Sequence, residues 1–318
     1  MRPIPQDATG RPSTSPLGRI AALGSEMART PLRAVHAVAE PIRVDMGREV
    51  RRSLGLPEVP PTRVIDPDQA YVHPTSIVRR VHNDLPAMMI GGLAALLLQT
   101  LHPLAMAGVA DHSNYREDPL GRLYRTAAFV GATTFGTIEE ARRAIDHVRA
   151  VHRSIEGVAP DGRHYAADDP ELLTWIHVAE TMSFLGAAER FGPLRLGPAD
   201  RDDYYRDTAP VAYELGAQWV PVSVEQVDAY LHRIRPELYA GGQALAARDF
   251  LLRGVGRRPE DRAVHAILAA AAVSVLPGWA RRSLHLPAPP VLDPFWAVLP
   301  ARVLAAGLRW AVAPADRR

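Results

Sequence analysis

The chain contains no cysteine. That single absence removes disulfides, thiolate nucleophiles, cysteine-ligated zinc, iron–sulfur centres and a thiolate-ligated haem. Aromatic residues make up only 6% of the 318 positions, which leaves few stacking platforms for nucleic acid. Neither sign of charge dominates: 37 Lys and Arg face 35 Asp and Glu, for a formal net charge of +2. Apart from local runs at Arg48, Arg51 and Arg52 and at Arg281 and Arg282, the cations are interspersed, so the basic stripe that nucleic acid requires is missing and no nucleic-acid partner is expected. The longest apolar run, Leu85 to Leu98, is shorter than the ~20 residues of a membrane span. There is no phosphate-binding glycine loop, no nucleophile elbow and no internal repeat.

What is present is helical. Apolar residues are 47% of the chain, enough for a large core, and 29 Pro and 23 Gly cut it into pieces. Helical periodicity recurs near 86–101, 122–131, 138–156, 170–187, 200–216, 223–233, 240–252, 259–274 and 300–312, with no competing strand pattern. The expected architecture is all-α, a single large domain over 66–318. Residues 1–25, rich in Pro, Arg, Thr and Ser and without a signal-peptide core, read as disordered, and the chain is expected to be cytoplasmic. Residues 26–65 read as an amphipathic helical arm that packs on the body or makes peripheral membrane contact. The 300–312 helix carries Val303, Leu304, Leu308 and Trp310, enough apolar surface for either role. Gly91-Gly92 in the central helix permits close approach of a neighbour or of a flat cofactor.

Chemistry concentrates between Leu101 and His177. Along the helix from Thr137 to Ile155, Ala141, Ile145, Val148 and Ile155 form one stripe that includes His152, whereas His147 falls on the solvent side. Thr137 with Glu140 makes a capping box and Gly157 is the expected stop. His152 is open to two readings, a core histidine satisfied by neighbours or the axial nitrogen ligand of a buried haem iron. Upstream, Asp118-Pro119 and Gly121 mark a turn, after which Arg122, Arg125 and Thr126 share a helix face. Such a face suits haem propionates or dioxygen, and equally an ordinary solvated basic surface. His177 is the rival ligand and is equally open to reading as a satisfied core histidine; it shares a secondary face with Leu173 and Phe184, with Glu180 beside it as a carboxylate that could hold the ring. His102, before Pro103, caps a helix or lines the pocket, and His112 falls in an exposed turn. A diiron carboxylate bundle needs inward Glu-x-x-His pairs, and Glu139, Glu140, Glu171 and Glu180 do not supply them.

Four blocks carry a resemblance: Leu101-His-Pro-Leu-Ala-Met-Ala-Gly-Val-Ala-Asp-His-Ser113, Arg122-x-x-Arg125-Thr126, Val148-Arg-Ala-Val-His152, and Tyr165-x-x-x-Asp169-Pro-Glu-Leu-Leu-Thr-Trp-Ile-His177. In order and spacing they resemble the MpaB and rubber-oxygenase (latex-clearing protein) family, over roughly 66–231 and more loosely to about 300. The resemblance implies a globin-like helical core holding haem b, with His152 as proximal metal ligand and Arg122 and Thr126 on the distal side as catalytic residues. Arg122, Arg125 and His177 join His152 as expected cofactor-binding residues. Where the family has a lysine this chain has Arg125, and a protonated guanidinium cannot ligate iron. The family's assisting glutamate has no clear counterpart, Asp111 being the nearest acid. These departures bear on rubber cleavage more than on haem binding. The expected function is a haem-b oxygenase that brings dioxygen to an apolar unsaturated, isoprenoid or polyprenyl substrate. The alternatives are a non-enzymatic haem or hydrophobic-ligand binder and a cofactor-free helical interaction protein.

Overall fold

The structure, a computed structural model, describes residues 65–254, 259–287 and 294–312. The segment 1–25 and nearly all of the arm expected at 26–65 lie outside the described residues. Residues 61–309 fall in one compact unit. The described residues contain twelve α-helices and one two-stranded hairpin, so the chain is all-α as its periodicity requires.

The centre is a pair of antiparallel helices, α2 (Leu85–Gln99) and α6 (Pro170–Phe191). Helix α2 has no charged side chain, and Pro86 sits in its first turn, where a missing N–H costs nothing. A Cβ on Gly91 would lie 2.9 Å from Phe184 Cα and 3.0 Å from Ser183 O. Glycine is therefore required at Gly91 because α6 approaches to backbone contact, the helix-packing role expected of it. The interface buries Ile90, Leu97, Leu98, Trp175 and Val178. Helix α10 (Pro259–Val275) closes the other side of α2 with Ala271 and Ala272. Helix α12 (Leu299–Val312) is tied down within the unit by Arg309, which donates to both oxygens of Asp84 at 2.8–3.2 Å and to Phe191 O at 2.6 Å.

Three short helices are additions to the sequence reading: α1 (Ile77–His82), α3 (Pro103–His112) and α11 (Gly278–Ser283). Helix α3 follows α2 after a bend of 105°. Its alanines and glycine give almost no amphipathic contrast, so it leaves no mark in the sequence. Among the described residues no single helix is long and apolar enough to cross a membrane.

Helices α4 (Pro119–Phe135) and α5 (Ile138–His152) form a hairpin through Gly136 and Thr137. Asp118 caps α4 by accepting from Gly121 N at 2.9 Å, and Thr137 with Glu140 forms the expected capping box on α5. The end of α5 differs from expectation. It stops at His152, and Ile155 and Gly157 belong to a turn and a strand, β1 (Glu156–Val158), paired antiparallel with β2 (His164–Ala166). Gly157 is needed for space: a Cβ there would sit 2.5 Å from the Tyr165 hydroxyl. Three-residue strands are too short to show alternation, which is why no strand was expected. The remaining helices, α7 (Pro198–Leu215), α8 (Val224–Ile234) and α9 (Gly242–Arg253), match expectation to within a few residues, with Ser223 capping α8.

Candidate functional site

The α4–α5 hairpin sets the heights of the candidate residues. Arg122 and His152 both lie about 21 Å from the connecting turn, at about 1.5 Å per residue, so they stand at the same end of the pair. Arg122, Arg125 and Thr126 follow one another at i, i+3 and i+4 on α4 as the spacing predicts. Their surroundings differ. Arg122 donates through Nη1 to Ser113 Oγ at 2.6 Å, and burial, aided by nearby Arg125 and opposed by Tyr115, lowers its guanidinium below the usual range. Arg125 pairs with Asp118 at 3.3 Å in the open, and Thr126 is exposed. The same stretch shows Leu123 to solvent at 45% and Ala127 and Ala128 as exposed residues.

His152 is the last residue of α5 and is half-buried. Its Nδ1 is buried and makes no hydrogen bond among the described residues. Desolvation lowers its pKa and the Asp168 carboxylate partly restores it. An unmet buried polar atom costs about 1–3 kcal/mol, so structure retained at that cost invites a functional reading. His147 is exposed, as expected.

Next to this end lies a cluster that sequence reasoning did not assemble. Tyr165 of β2 is buried, with its ring against Gly108, and it donates to Asp111 Oδ2 at 2.7 Å. Its oxygen also meets His112 Nε2 at 3.1 Å, so His112, an exposed residue, ends α3 with its ring engaged. Burial and the hydrogen bond to Asp111 push the Tyr165 phenol up to about 12. Asp111, His112 and Ser113 are consecutive, and Ser113 holds Arg122, so the end of α3 joins the Tyr165 cluster to the α4 cation. The Tyr165 block was visible in the sequence, but its partner in α3 is 54 residues away and no local signal links them.

The other two histidines lie in the core. His177 is 9% exposed on α6, and its Nε2 is buried without a hydrogen bond among the described residues. Burial depresses its imidazole to about 4. Glu180 does not serve His177 as a hydrogen-bonded partner; it is hydrogen-bonded to Gln99 of α2. His102 is the N-cap residue of α3 but its side chain makes no cap bond. It is 3% exposed, with its ring centroid 6.3 Å from that of Trp175, and its Nδ1 is likewise unpaired among the described residues. Another histidine, the half-buried His82 of α1, carried no sequence signal. It bonds Thr134 Oγ1 at 2.8 Å through Nδ1 and Tyr204 OH at 2.9 Å through Nε2.

Among the described residues, no group of three or more His, Asp and Glu side chains converges as a metal-binding set. A lone imidazole does not hold a bare ion, but it suits a metal whose equatorial donors arrive with an organic cofactor. Comparison with curated proteins and with solved structures found no match. A family model described as ER-bound oxygenase mpaB/B'/Rubber oxygenase, catalytic domain, matches residues 79–310, which run from α1 into α12 and include both the α4–α5 hairpin and the Tyr165 cluster. The chain therefore belongs to the mpaB and rubber oxygenase family and carries its oxygenase catalytic domain.

Proposed function

We propose that this oxygenase domain uses haem b to bring dioxygen to an apolar, unsaturated substrate of isoprenoid or lipid-like character. The observation that carries the reading is His152: a half-buried imidazole with an unmet Nδ1, held at the end of a capped helix, level with Arg122. The donor chemistry fits, since His152 offers one neutral nitrogen and the partly exposed apolar residues of α4 offer a surface for a flat macrocycle. Haem iron, when bound, supplies the activation of dioxygen, and the protein orients the reactants around it.

The protein's own residues then divide the remaining tasks. His152 would hold the metal through its neutral ring, the form that burial favours against the opposing charge of Asp168. Arg122, fixed by Ser113, and Thr126 one turn on would be the hydrogen-bond donors on this side of a bound haem, toward dioxygen or a propionate. Arg125 is restrained by Asp118 and stays a cation, so it takes the role of a propionate partner rather than that of a ligand. Asp111, its Oδ2 fixed by Tyr165, is the carboxylate positioned to accept a proton at this end of the molecule. His177, with its unmet Nε2 in the core, would be the second imidazole open to the cofactor.

Reconstituting the purified chain with haem and following dioxygen consumption with polyprenyl alkenes tests the reading. Uptake accompanied by carbonyl products is the expected result. Stable haem binding with no consumption across alkenes and unsaturated lipids would instead identify a haem or hydrophobic-ligand binder built on the same residues.

A further inference from the structure

Helix α12 and the single π-helical turn that leads into it, Pro294–Val298, face the core with their smallest side chains. Ala297, Ala301 and Ala305, spaced by four, are at most 1% exposed, and Leu304 and Leu308 are half-buried beside them. The large apolar residues lie on the other side: Trp296 is 37%, Leu299 62% and Val303 66% exposed, and Ala306 and Gly307 continue the line as exposed residues. Positions 296, 299, 303 and 306 step by three, four and three, which makes them one helix face. A Cβ on Gly307 would meet nothing within 4 Å, so the face stays open towards its far end. None of the oxygenase chemistry above employs it.

The helix cannot roll to hide these side chains. Arg302 donates through Nε and Nη2 to Arg190 O at 3.3 and 3.0 Å, and Arg309 donates to Phe191 O at 2.6 Å as well as to Asp84. Arg190 and Phe191 are the last two residues of α6, so two arginines clamp α12 to a helix C-terminus, where the free carbonyls and the dipole favour cations. Turning Leu299 and Val303 inward would break both attachments. A helix that is apolar on its outer side as well as its inner one calls for a second apolar surface. The sequence left this helix two roles, and the structure divides its residues between them: Leu304 and Leu308 pack on the body, whereas Leu299 and Val303 do not.

We propose that this face docks on an anionic lipid surface, with α12 lying in the headgroup layer and Trp296, Leu299 and Val303 entering the acyl boundary. Charge selects the partner. From Pro294 to Val312 the chain carries no acid, only Arg302 and Arg309. Asp84 answers Arg309, whereas Arg302, exposed beside Val303, bonds a carbonyl and no acid among the described residues. Anionic headgroups supply the missing countercharge. A second copy paired about a twofold axis would instead bring Arg302 against its own counterpart, with no acid on the helix to offset the repulsion. The indole of Trp296, apolar with one polar N–H, suits the edge of a bilayer. Fourteen residues, about 21 Å of helix, are too few to cross the hydrocarbon, so α12 lies on the surface. The inference rests on α12 alone and does not depend on the haem reading.

The test is co-sedimentation of the full chain with vesicles of mixed phosphatidylglycerol and phosphatidylcholine, against vesicles of phosphatidylcholine alone. The wild type should bind the mixed vesicles more tightly, and less so as salt is raised. Brominated acyl chains should quench its tryptophan fluorescence, and Trp296→Phe should reduce that quenching. Leu299→Glu and Val303→Glu, both at exposed positions, should each lower partitioning by at least about tenfold with the helical circular dichroism unchanged. Val303→Ser should lower it in the same direction by less, which keeps the test open if a glutamate disturbs folding. A wild type that ignores the mixed vesicles, or partitioning unaltered in the folded Leu299 and Val303 variants, would overturn the proposal. So would a wild-type dimer that these substitutions dissociate, since that result assigns the face to a second copy.

Discussion

Two antiparallel helix pairs in this molecule are built to different standards of closure. In α2–α6 the backbones touch at Gly91, and Trp175, Leu97 and Leu98 have no solvent contact. In α4–α5, among the described residues, only Ala141, Ile145, Thr133 and Thr134 are buried, while Leu123 and Val151 remain 45% and 44% exposed. The first pair is finished by protein packing alone and supplies rigidity. The second gathers the chemistry-bearing side chains at one end, where Arg122, His152 and the Asp111–Tyr165 contact leave polar and apolar groups available to something other than the core. The contrast indicates that α2–α6 should govern stability and α4–α5 function.

The largest expected stability effect lies in the first pair. Trp175→Ala should destabilise by about 3–5 kcal/mol in denaturant unfolding, since it removes a fully buried ring from the α2 contact. Gly91→Ala should cost about 1–3 kcal/mol by the same measurement, because the new methyl meets the α6 backbone at Phe184 Cα as well as a flexible ring. A cost near zero for either would show that the pair can relax apart, and the contrast between the two regions would fail.

Ionisable groups in the core give it a pH signature of its own. Glu180 is raised from 4.5 to about 7, so the folded state holds its proton more tightly than the unfolded chain does. Stability from this group is intact below about 4.5 and is lost as pH rises through about 7, on the order of 1–3 kcal/mol, and Glu180→Gln should remove that slope. His82 and His177 act in the opposite sense. Each is lowered from 6.5 to about 4, so their contribution is intact above 6.5 and is lost as pH falls towards 4. Stability curves measured against pH should therefore decline on both sides, with separate residues responsible for each.

The smallest expected stability effect is on α4. Arg125→Ala breaks an exposed pair with Asp118 and should change stability by less than about 1 kcal/mol. If the proposed propionate role is correct, the same variant should weaken haem affinity measurably in a spectroscopic titration.

Much of this arrangement was legible in the sequence. The capping box at Thr137 and Glu140, the α8 start at Ser223 and the apolar run of α2 all act over three or four residues or over one helix face, and local periodicity reports such features. The i, i+3, i+4 grouping of Arg122, Arg125 and Thr126 was legible for the same reason. What escaped depends on distance along the chain. Tyr165 meets Asp111 across 54 residues and His82 meets Tyr204 across 122, and neither end carries a local mark of the other. The end of α5 was misplaced because Gly157 resembles a helix stop, whereas its lack of a side chain serves the Tyr165 hydroxyl.

The central claim is that His152 holds a haem iron, and the visible absorption spectrum of the haem-loaded chain tests it most directly. The account predicts a Soret band typical of histidine-ligated haem in the wild type, lost or strongly shifted in His152→Ala while the helical circular dichroism is unchanged. A folded wild type that takes up no haem, or a His152→Ala variant with an unaltered Soret band, would contradict it.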